Sequence, residues 1–188
     1  RVLMNKIITI GREFGSGGRE LGRRLSEQLG FAYYDQEIIS EISKRTSLSE
    51  QDIQAVVEHR PSFSFPIHIG RSFYPSVSPA FEQTMSVYQE QARIIAEMAA
   101  KSDCIIVGRC ADYILKDRRP FRIFVYADMD SKIKRCREKG PEEEKLSEKE
   151  LKQKITDIDK KRAKYYEFYT GHLWGDKLNF DLCINTTQ

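Results

Sequence analysis

The chain has 188 residues, of which 40% are hydrophobic, enough for one domain, with or without a small insertion, around an ordinary core. The net charge of only +3 argues against a strongly cationic protein that binds a nucleic acid polymer. The longest apolar runs fall far short of the ~20 residues of a membrane helix, and no apolar signal segment follows a charged start. We therefore expect a cytoplasmic protein without a membrane partner.

The first thirty residues combine an apolar run, a glycine-rich turn and an amphipathic segment. Residues 6–10 are rich in β-branched side chains, which is typical of a buried strand, and segment 11–18 contains four glycines. Leucines recur every four residues from Leu21 to Leu29, and Gly30 stands where a helix C-cap belongs. This order predicts a strand, a loop and a helix.

Beyond Gly30, short apolar runs alternate with segments of helical periodicity, several of which follow a residue that can act as an N-cap. These N-cap candidates are Asp35, Ser47 with Glu50, Asp130, and Ser147 with Glu150. The remaining strands are expected at residues 31–34, 104–107, 121–127 and 181–185, and the remaining helices at residues 35–45, 47–60, 81–100, 130–139 and 147–169.

Five short strands separated by helices, without hairpin signals, predict an α/β fold with a parallel sheet covered on both faces. Ligands of such sheets bind at the carboxyl ends of the strands. The most polar segments at strand ends begin at Gly11, at Gly108 with Arg109, and at residues 127–128. We therefore expect the chemistry to converge at this edge.

Residues 61–80 break the alternation, because they contain four of the six prolines and show no periodicity. A loop of that length inside a compact chain is usually functional or mobile. We expect it to be mobile and to close when an acceptor binds.

The glycine-rich loop has the features of a phosphate site. Glycines between a strand and a helix expose successive backbone N–H groups, and the helix N-terminus adds positive potential. Ser16 and Arg19 add donors. The loop departs from Walker A, since Gly18 or, with one additional residue, Arg19 takes the place of the lysine. Glu20 stands at the hydroxyl position, where its carboxylate could bind Mg²⁺ or repel phosphate.

Four blocks of sequence, found in one order over nearly the whole chain, resemble the cytidylate kinase-like family of P-loop proteins. The blocks are residues 7–22, 33–39, 106–114 and 162–171. The resemblance implies a single three-layer P-loop domain over residues 1–188, with a five-stranded parallel sheet, a helical nucleoside-monophosphate-binding insert at about 45–80 and a short lid at about 138–150. It also implies an ATP- and Mg²⁺-dependent kinase that phosphorylates CMP or dCMP.

The resemblance further implies roles for individual residues. The donor phosphates would be held by Arg12, Gly15, Ser16, Gly17, Gly18, Arg19 and Glu20, with Glu20 on the metal. The acceptor would be bound by Asp35, Gly108, Arg109, Asp112, Asp159 and Arg162. The transferring phosphoryl group would be neutralised by Arg19, Arg135, Arg137 and Arg162. The simpler alternatives are a solvated basic helix for Arg135 and Arg137, and a salt bridge on one helix face for Asp159 and Arg162.

Two features leave the function open between different classes of protein. Cytidylate kinases carry an arginine near the start of the insert, whereas the aligned residue here is Glu41. The chain could therefore be a kinase for another small acceptor. The missing loop lysine also permits a nucleotide-binding module without catalysis. The sequence indicates no oligomeric state, and we expect most of the aromatic residues at 165–174 to belong to the core.

Overall fold

The structure, a computed structural model, describes residues 5–57, 79–139 and 146–187. Its centre is a five-stranded sheet in the order β2-β3-β1-β4-β5, in which all neighbouring strands are parallel. The strands are β1 (Ile7–Arg12), β2 (Ala32–Tyr34), β3 (Cys104–Val107), β4 (Phe121–Tyr126) and β5 (Leu182–Asn185). The predicted parallel α/β sheet is thus confirmed, and the central position of β1 places the glycine-rich loop in the middle of its carboxyl edge.

Helices cover both faces of this sheet. They are α1 (Gly18–Leu29), α2 (Glu37–Arg45), α3 (Glu50–Val57), α4 (Pro79–Lys101), α5 (Ala111–Ile114), α6 (Met129–Lys139) and α7 (Glu148–Thr170). Alternate side chains of β3 point to opposite layers because a strand has a side-chain period of two. Ile106 packs with buried residues of α2, α3 and α4, whereas Ile105 and Val107 pack with Leu21 and Leu25 of α1.

Two predicted N-caps are wrong and one is confirmed. Gln36, not Asp35, precedes α2, because the Asp35 carboxylate is engaged by Arg19 instead. Before α6, the Asp128 carboxylate accepts the N–H of Ser131, so Asp130 lies inside the helix. Ser147 forms the predicted capping box with Glu150 at the start of α7.

The N-cap predicted for α3 is displaced by two residues. Its helix begins at Glu50, and the Ser49 hydroxyl, rather than that of Ser47, accepts the N–H of Asp52 at 3.2 Å. A hydroxyl at either position suits a cap locally, so the packing of the helix decides which one is used.

The expected mobile loop lies almost wholly outside the described residues, and so does the part of the expected lid at residues 140–145. The described part of the insert consists of the end of α2, α3 and the start of α4. In the described ranges, no helix combines the length and apolar character needed to cross a membrane.

Candidate active site

The loop that follows β1 is held in a conformation only glycine adopts easily. Gly15 and Gly17 have φ values of +76° and +84°, in the left-handed region. The buried Ser16 hydroxyl donates to the Glu13 carbonyl at 2.8 Å, and Thr186 donates to the Ser16 carbonyl at 2.7 Å. A Cβ atom on Gly18 would lie 2.5 Å from Cβ of Arg12. The loop therefore turns sharply and presents backbone rather than side chains at the start of α1.

Arginines from four different segments meet beside this loop. We call Arg12, Arg19, Arg109 and Arg162 the arginine cluster. Nε of Arg19 lies 2.6 Å from Oδ2 of Asp35, and Nε of Arg109 donates to the Asp35 carbonyl at 3.1 Å. Nη1 of Arg162 donates to the Arg12 carbonyl at 3.3 Å. The structure thus brings together five residues that the sequence assigned to donor and acceptor sites.

The electrostatics of the arginine cluster favour an anion. Burial, and next the positive charge of Arg162, lower the pKa of Arg12 well below its usual value, although Asp35 opposes the shift. Asp35 is 5% exposed, and its Oδ1 atom has no hydrogen-bond partner among the described residues. Among the described residues, four guanidinium groups thus meet one carboxylate, an arrangement that favours an anionic ligand.

Arg109 owes its position to an unusual backbone at the end of β3. Gly108, Arg109 and Cys110 have φ values of +69°, +61° and +54°, three left-handed residues in succession. Such a conformation costs energy for the two non-glycine residues and persists only where its surroundings hold it. The buried Gln91 side chain donates to the Arg109 carbonyl at 3.2 Å and to the Tyr165 hydroxyl at 3.1 Å. These contacts hold the end of β3 in the conformation that places Arg109 in the arginine cluster.

An aromatic wall stands next to the arginine cluster. Tyr165, Tyr166, Trp174 and Phe180 line the same cavity as Arg109. Tyr165 and Tyr166 are buried, as expected for core residues, so the wall serves both packing and the cavity.

Asp112 stands behind this wall. It accepts a hydrogen bond from the Tyr166 hydroxyl at 2.6 Å, and burial raises the pKa of its carboxyl group. Asp112 does not line this cavity. The structure therefore places it one layer away from the cavity surface.

A second cavity, of about 960 Å³, lies between the glycine-rich loop, α6 and the start of α7. We call it the donor cleft. Arg135 and Arg137 both line it. The Arg135 guanidinium donates to the carbonyls of Gly15 at 2.7 Å and Thr186 at 3.0 Å, so it ties α6 to the loop. The volume lies at the upper end of the range for small-molecule sites, about 300–1,000 Å³.

Glu20, the predicted metal ligand, also lines the donor cleft. Its carboxylate pairs with Arg24 at 2.8 Å and Lys139 at 3.3 Å, and the hydrogen bond from Arg24 is the main cause that lowers its pKa. No group of three metal-ligating side chains occurs among the described residues. One ionised carboxylate still fits Mg²⁺, because that ion commonly takes one or two protein carboxylates and completes its shell with phosphates and water.

Asp159 lies beneath the glycine-rich loop and does not line the cavity beside the aromatic wall. Its Oδ1 accepts the N–H of Phe14 at 2.7 Å, and its Oδ2 lies 3.0 Å from Nζ of Lys132. Nζ of Lys132 also lies 2.6 Å from the carboxylate of Glu13. The sequence carries no signal for Lys132 or Glu13, because a lysine in a basic helix and a glutamate in a loop are typical of solvent-exposed positions.

Comparisons with known proteins point to one family and one fold. The profile described as the Cytidylate kinase-like family matches residues 7–188. No curated protein matches the chain. A crystal structure of an uncharacterized protein from Eubacterium ventriosum ATCC 27560 is similar over 97% of this chain and 89% of that one, with 28% identity and a TM-score of 0.68.

Shikimate kinases share the fold at lower identity. The enzyme from Bacteroides thetaiotaomicron aligns with 96% of this chain and 86% of its own, with 15% identity and a TM-score of 0.56. The enzyme from Acinetobacter baumannii, solved in complex with shikimate, aligns with 98% of this chain and 85% of its own, with 18% identity and a TM-score of 0.50. The fold is therefore that of P-loop kinases.

Proposed function

This chain belongs to the cytidylate kinase-like family, and we propose that it transfers a phosphoryl group from ATP to a nucleoside monophosphate, with CMP or dCMP as the first acceptor to test. One observation carries the proposal. Arg12, Arg19 and Arg162 line both the cavity beside the aromatic wall and the donor cleft. Cationic side chains at the junction of two cavities suit a reaction in which a phosphoryl group passes from one ligand to the other.

On the donor side, the backbone N–H groups of residues 15–18 would hold the ATP phosphates at the start of α1. Arg137 would add positive charge from α6, and Arg135 would keep α6 against the loop through its two carbonyl contacts. Glu20 would hold Mg²⁺, which neutralises developing charge on the phosphates when bound. A cytoplasmic location accompanies this proposal, because ATP and nucleoside monophosphates occur together there.

On the acceptor side, Arg109 and Arg162 would bind the phosphate of the monophosphate. Guanidinium groups suit this task because they form planar, paired hydrogen bonds with phosphate oxygens. Asp35, which lines neither cavity, would hold Arg19 through its carboxylate and Arg109 through its carbonyl. Arg19, which is paired with Asp35 and lines both cavities, would stabilise the group in transfer.

A second candidate is a kinase for a different small anionic acceptor that carries a hydroxyl group. The observation in its favour is that Glu41, in α2, occupies the position where the family resemblance predicts an arginine that binds the acceptor. Glu41 pairs with Arg45 at 3.1 Å, and Arg45 also binds Glu97 at 2.7 Å. The charged side chains at the end of α2 are therefore paired with other residues of the protein.

The proposal is tested by measuring ADP formation with ATP and Mg²⁺ across the common nucleoside monophosphates and shikimate. We expect turnover with CMP or dCMP, and at least roughly a hundredfold loss of kcat/KM in Arg109→Met. Arg122→Met is the matched control, because Arg122 is the second residue of β4, lines neither cavity and pairs with Asp181. Turnover only with a hydroxyl acceptor supports the second candidate, and ATP binding without any turnover contradicts both.

A further inference from the structure

We propose that Lys132 is a positioning residue, which acts with Glu13 and Asp159 to hold the glycine-rich loop in the shape that binds polyphosphate. The inference rests on the proposed function for the identity of the ligand. It concerns three residues that occupy three separate segments, namely the loop, α6 and α7.

Lys132 is a buried cation with two anionic partners. Its side chain is 7% exposed, and its Nζ lies 2.6 Å from Oε2 of Glu13 and 3.0 Å from Oδ2 of Asp159. A lysine is seldom buried unless it is paired, and loss of one partner leaves the others uncompensated. Removal of any one of the three side chains therefore leaves a buried charge without its full set of partners, so the three act together. We call them the loop clamp.

The loop clamp holds backbone on both sides of its ion pairs. Asp159 accepts the N–H of Phe14 at 2.7 Å, and Glu13 accepts the N–H of Ala127 at 3.2 Å. The backbone of Lys132 also packs against Gly15, where an added Cβ would lie 3.1 Å from the Lys132 carbonyl oxygen. The clamp thus fixes the loop immediately before its phosphate-facing glycines.

Lys132 does not line the donor cleft or the cavity beside the aromatic wall. It is therefore placed to act through the loop rather than by touching phosphate. Its contacts explain how a loop without the Walker lysine keeps a fixed shape, because the loop is tied to α6 and α7 before any ligand arrives. Preorganised donors bind charge without having to rearrange.

The test uses Asp159, which can be changed in two graded steps. Asp159→Asn keeps an oxygen acceptor for Phe14 at nearly the same volume but loses the charge, whereas Asp159→Ala loses both. Asp157→Asn is the matched control, since Asp157 is an exposed residue on the same helix and accepts a hydrogen bond from Gln153, one helical turn earlier. Amide exchange of Phe14 is measured without ligand, and the Kd of ATP, tripolyphosphate and CMP by calorimetry.

We expect Phe14 exchange to increase in the order wild type, Asp159→Asn, Asp159→Ala. The Kd of ATP and tripolyphosphate should rise by roughly tenfold and a hundredfold in the same order, while that of CMP stays within about twofold. A merely structural role would weaken all three ligands alike or none. Lys132→Met leaves two carboxylates unpaired, so the double variant Lys132→Met with Asp159→Asn serves as the test of Lys132 if the single variant fails to fold.

The inference is overturned if Asp159→Ala leaves Phe14 exchange unchanged, or if exchange rises while tripolyphosphate binds as in the wild type. These results differ from failure of the proposed function. Phe14 exchange needs no ligand, and a wild type that binds tripolyphosphate but phosphorylates no acceptor refutes the kinase proposal while leaving the loop clamp standing.

Discussion

Replacement of Arg12 by methionine is expected to stabilise the folded protein and to weaken its binding of ligand phosphates, because Arg12 lines both the donor cleft and the cavity beside the aromatic wall. Arg12 is partly buried beside Arg162, and burial and that neighbour lower its pKa, so the charged form is disfavoured in the unliganded site. Its loss does not leave Asp35 without a partner, because Arg19 remains 2.6 Å away. Methionine keeps most of the aliphatic stem that contacts Gly18.

The size of both effects follows from these contacts. Replacing a whole set of buried ions by apolar residues stabilises proteins by about 1–4 kcal/mol, whereas removing one ion of a pair is costly when its partner is left unpaired. We expect a gain of only about 1–2 kcal/mol here, because one ion of the set is removed and Asp35 keeps Arg19 as its partner. For a domain of this size, that corresponds to a rise in Tm of about 2–8 °C. Loss of one charge-assisted hydrogen bond to phosphate costs about 1.5–3 kcal/mol, or roughly 10- to 150-fold in Kd.

Thermal unfolding with and without CMP measures both quantities. Wild-type protein should gain stability from CMP, whereas Arg12→Met should begin at a higher Tm and gain much less. Arg122→Met should begin at a lower Tm, since it loses the pair with Asp181, and should keep the full CMP effect. The reasoning is refuted if Arg12→Met lowers the Tm as Arg122→Met does, or if its response to CMP is unchanged.

Three further substitutions probe other parts of the site. Gly18→Ala should lower turnover at least tenfold and cost about 1–3 kcal/mol of stability in urea unfolding, because its Cβ would meet Arg12 at 2.5 Å; wild-type kinetics would contradict the assigned loop geometry. Asp35→Asn should tighten the binding of inorganic phosphate, since it removes the carboxylate paired with Arg19, yet it should reduce kcat. A loss of phosphate binding together with kcat would show that Asp35 only supports the fold. Asp112→Asn should raise the free energy of unfolding near pH 7, and this effect should disappear as the pH falls towards the pKa of an unfolded aspartate, about 3.9. Burial raises the pKa of Asp112, so the wild type loses stability as the pH rises through that folded-state pKa, and a pH-independent difference would refute this cause.

Local sequence was sufficient to predict those features that depend only on residues within one helix or strand. The fully buried strand β3 was predicted with its observed limits, because an unbroken apolar run between helical segments suits only a central parallel strand. The Ser147 capping box was equally clear, since both partners lie within one helical turn. Gly30 caps α1 in the left-handed conformation expected of a C-cap glycine.

The features that could not be predicted from the sequence depend on contacts between segments that are far apart in the chain. Asp35 is as suitable for an N-cap as for an ion pair, and only its position beside Arg19 decides between them. Asp159 meets Phe14 across 145 positions, so neither residue signals the contact locally. The left-handed run at Gly108–Cys110 is equally hidden, because no pattern of side chains marks Arg109 as a residue with positive φ.

The most direct test of the central claim is to follow ATP, CMP and Mg²⁺ with the wild-type protein by ³¹P nuclear magnetic resonance, which separates transfer from hydrolysis. Two cavities that share Arg12, Arg19 and Arg162 predict that the γ-phosphate signal of ATP falls while the β-phosphate signal of CDP grows in equal amount. An unchanged spectrum, or release of inorganic phosphate with no CDP, would contradict the assignment of this cleft as a nucleoside monophosphate kinase site.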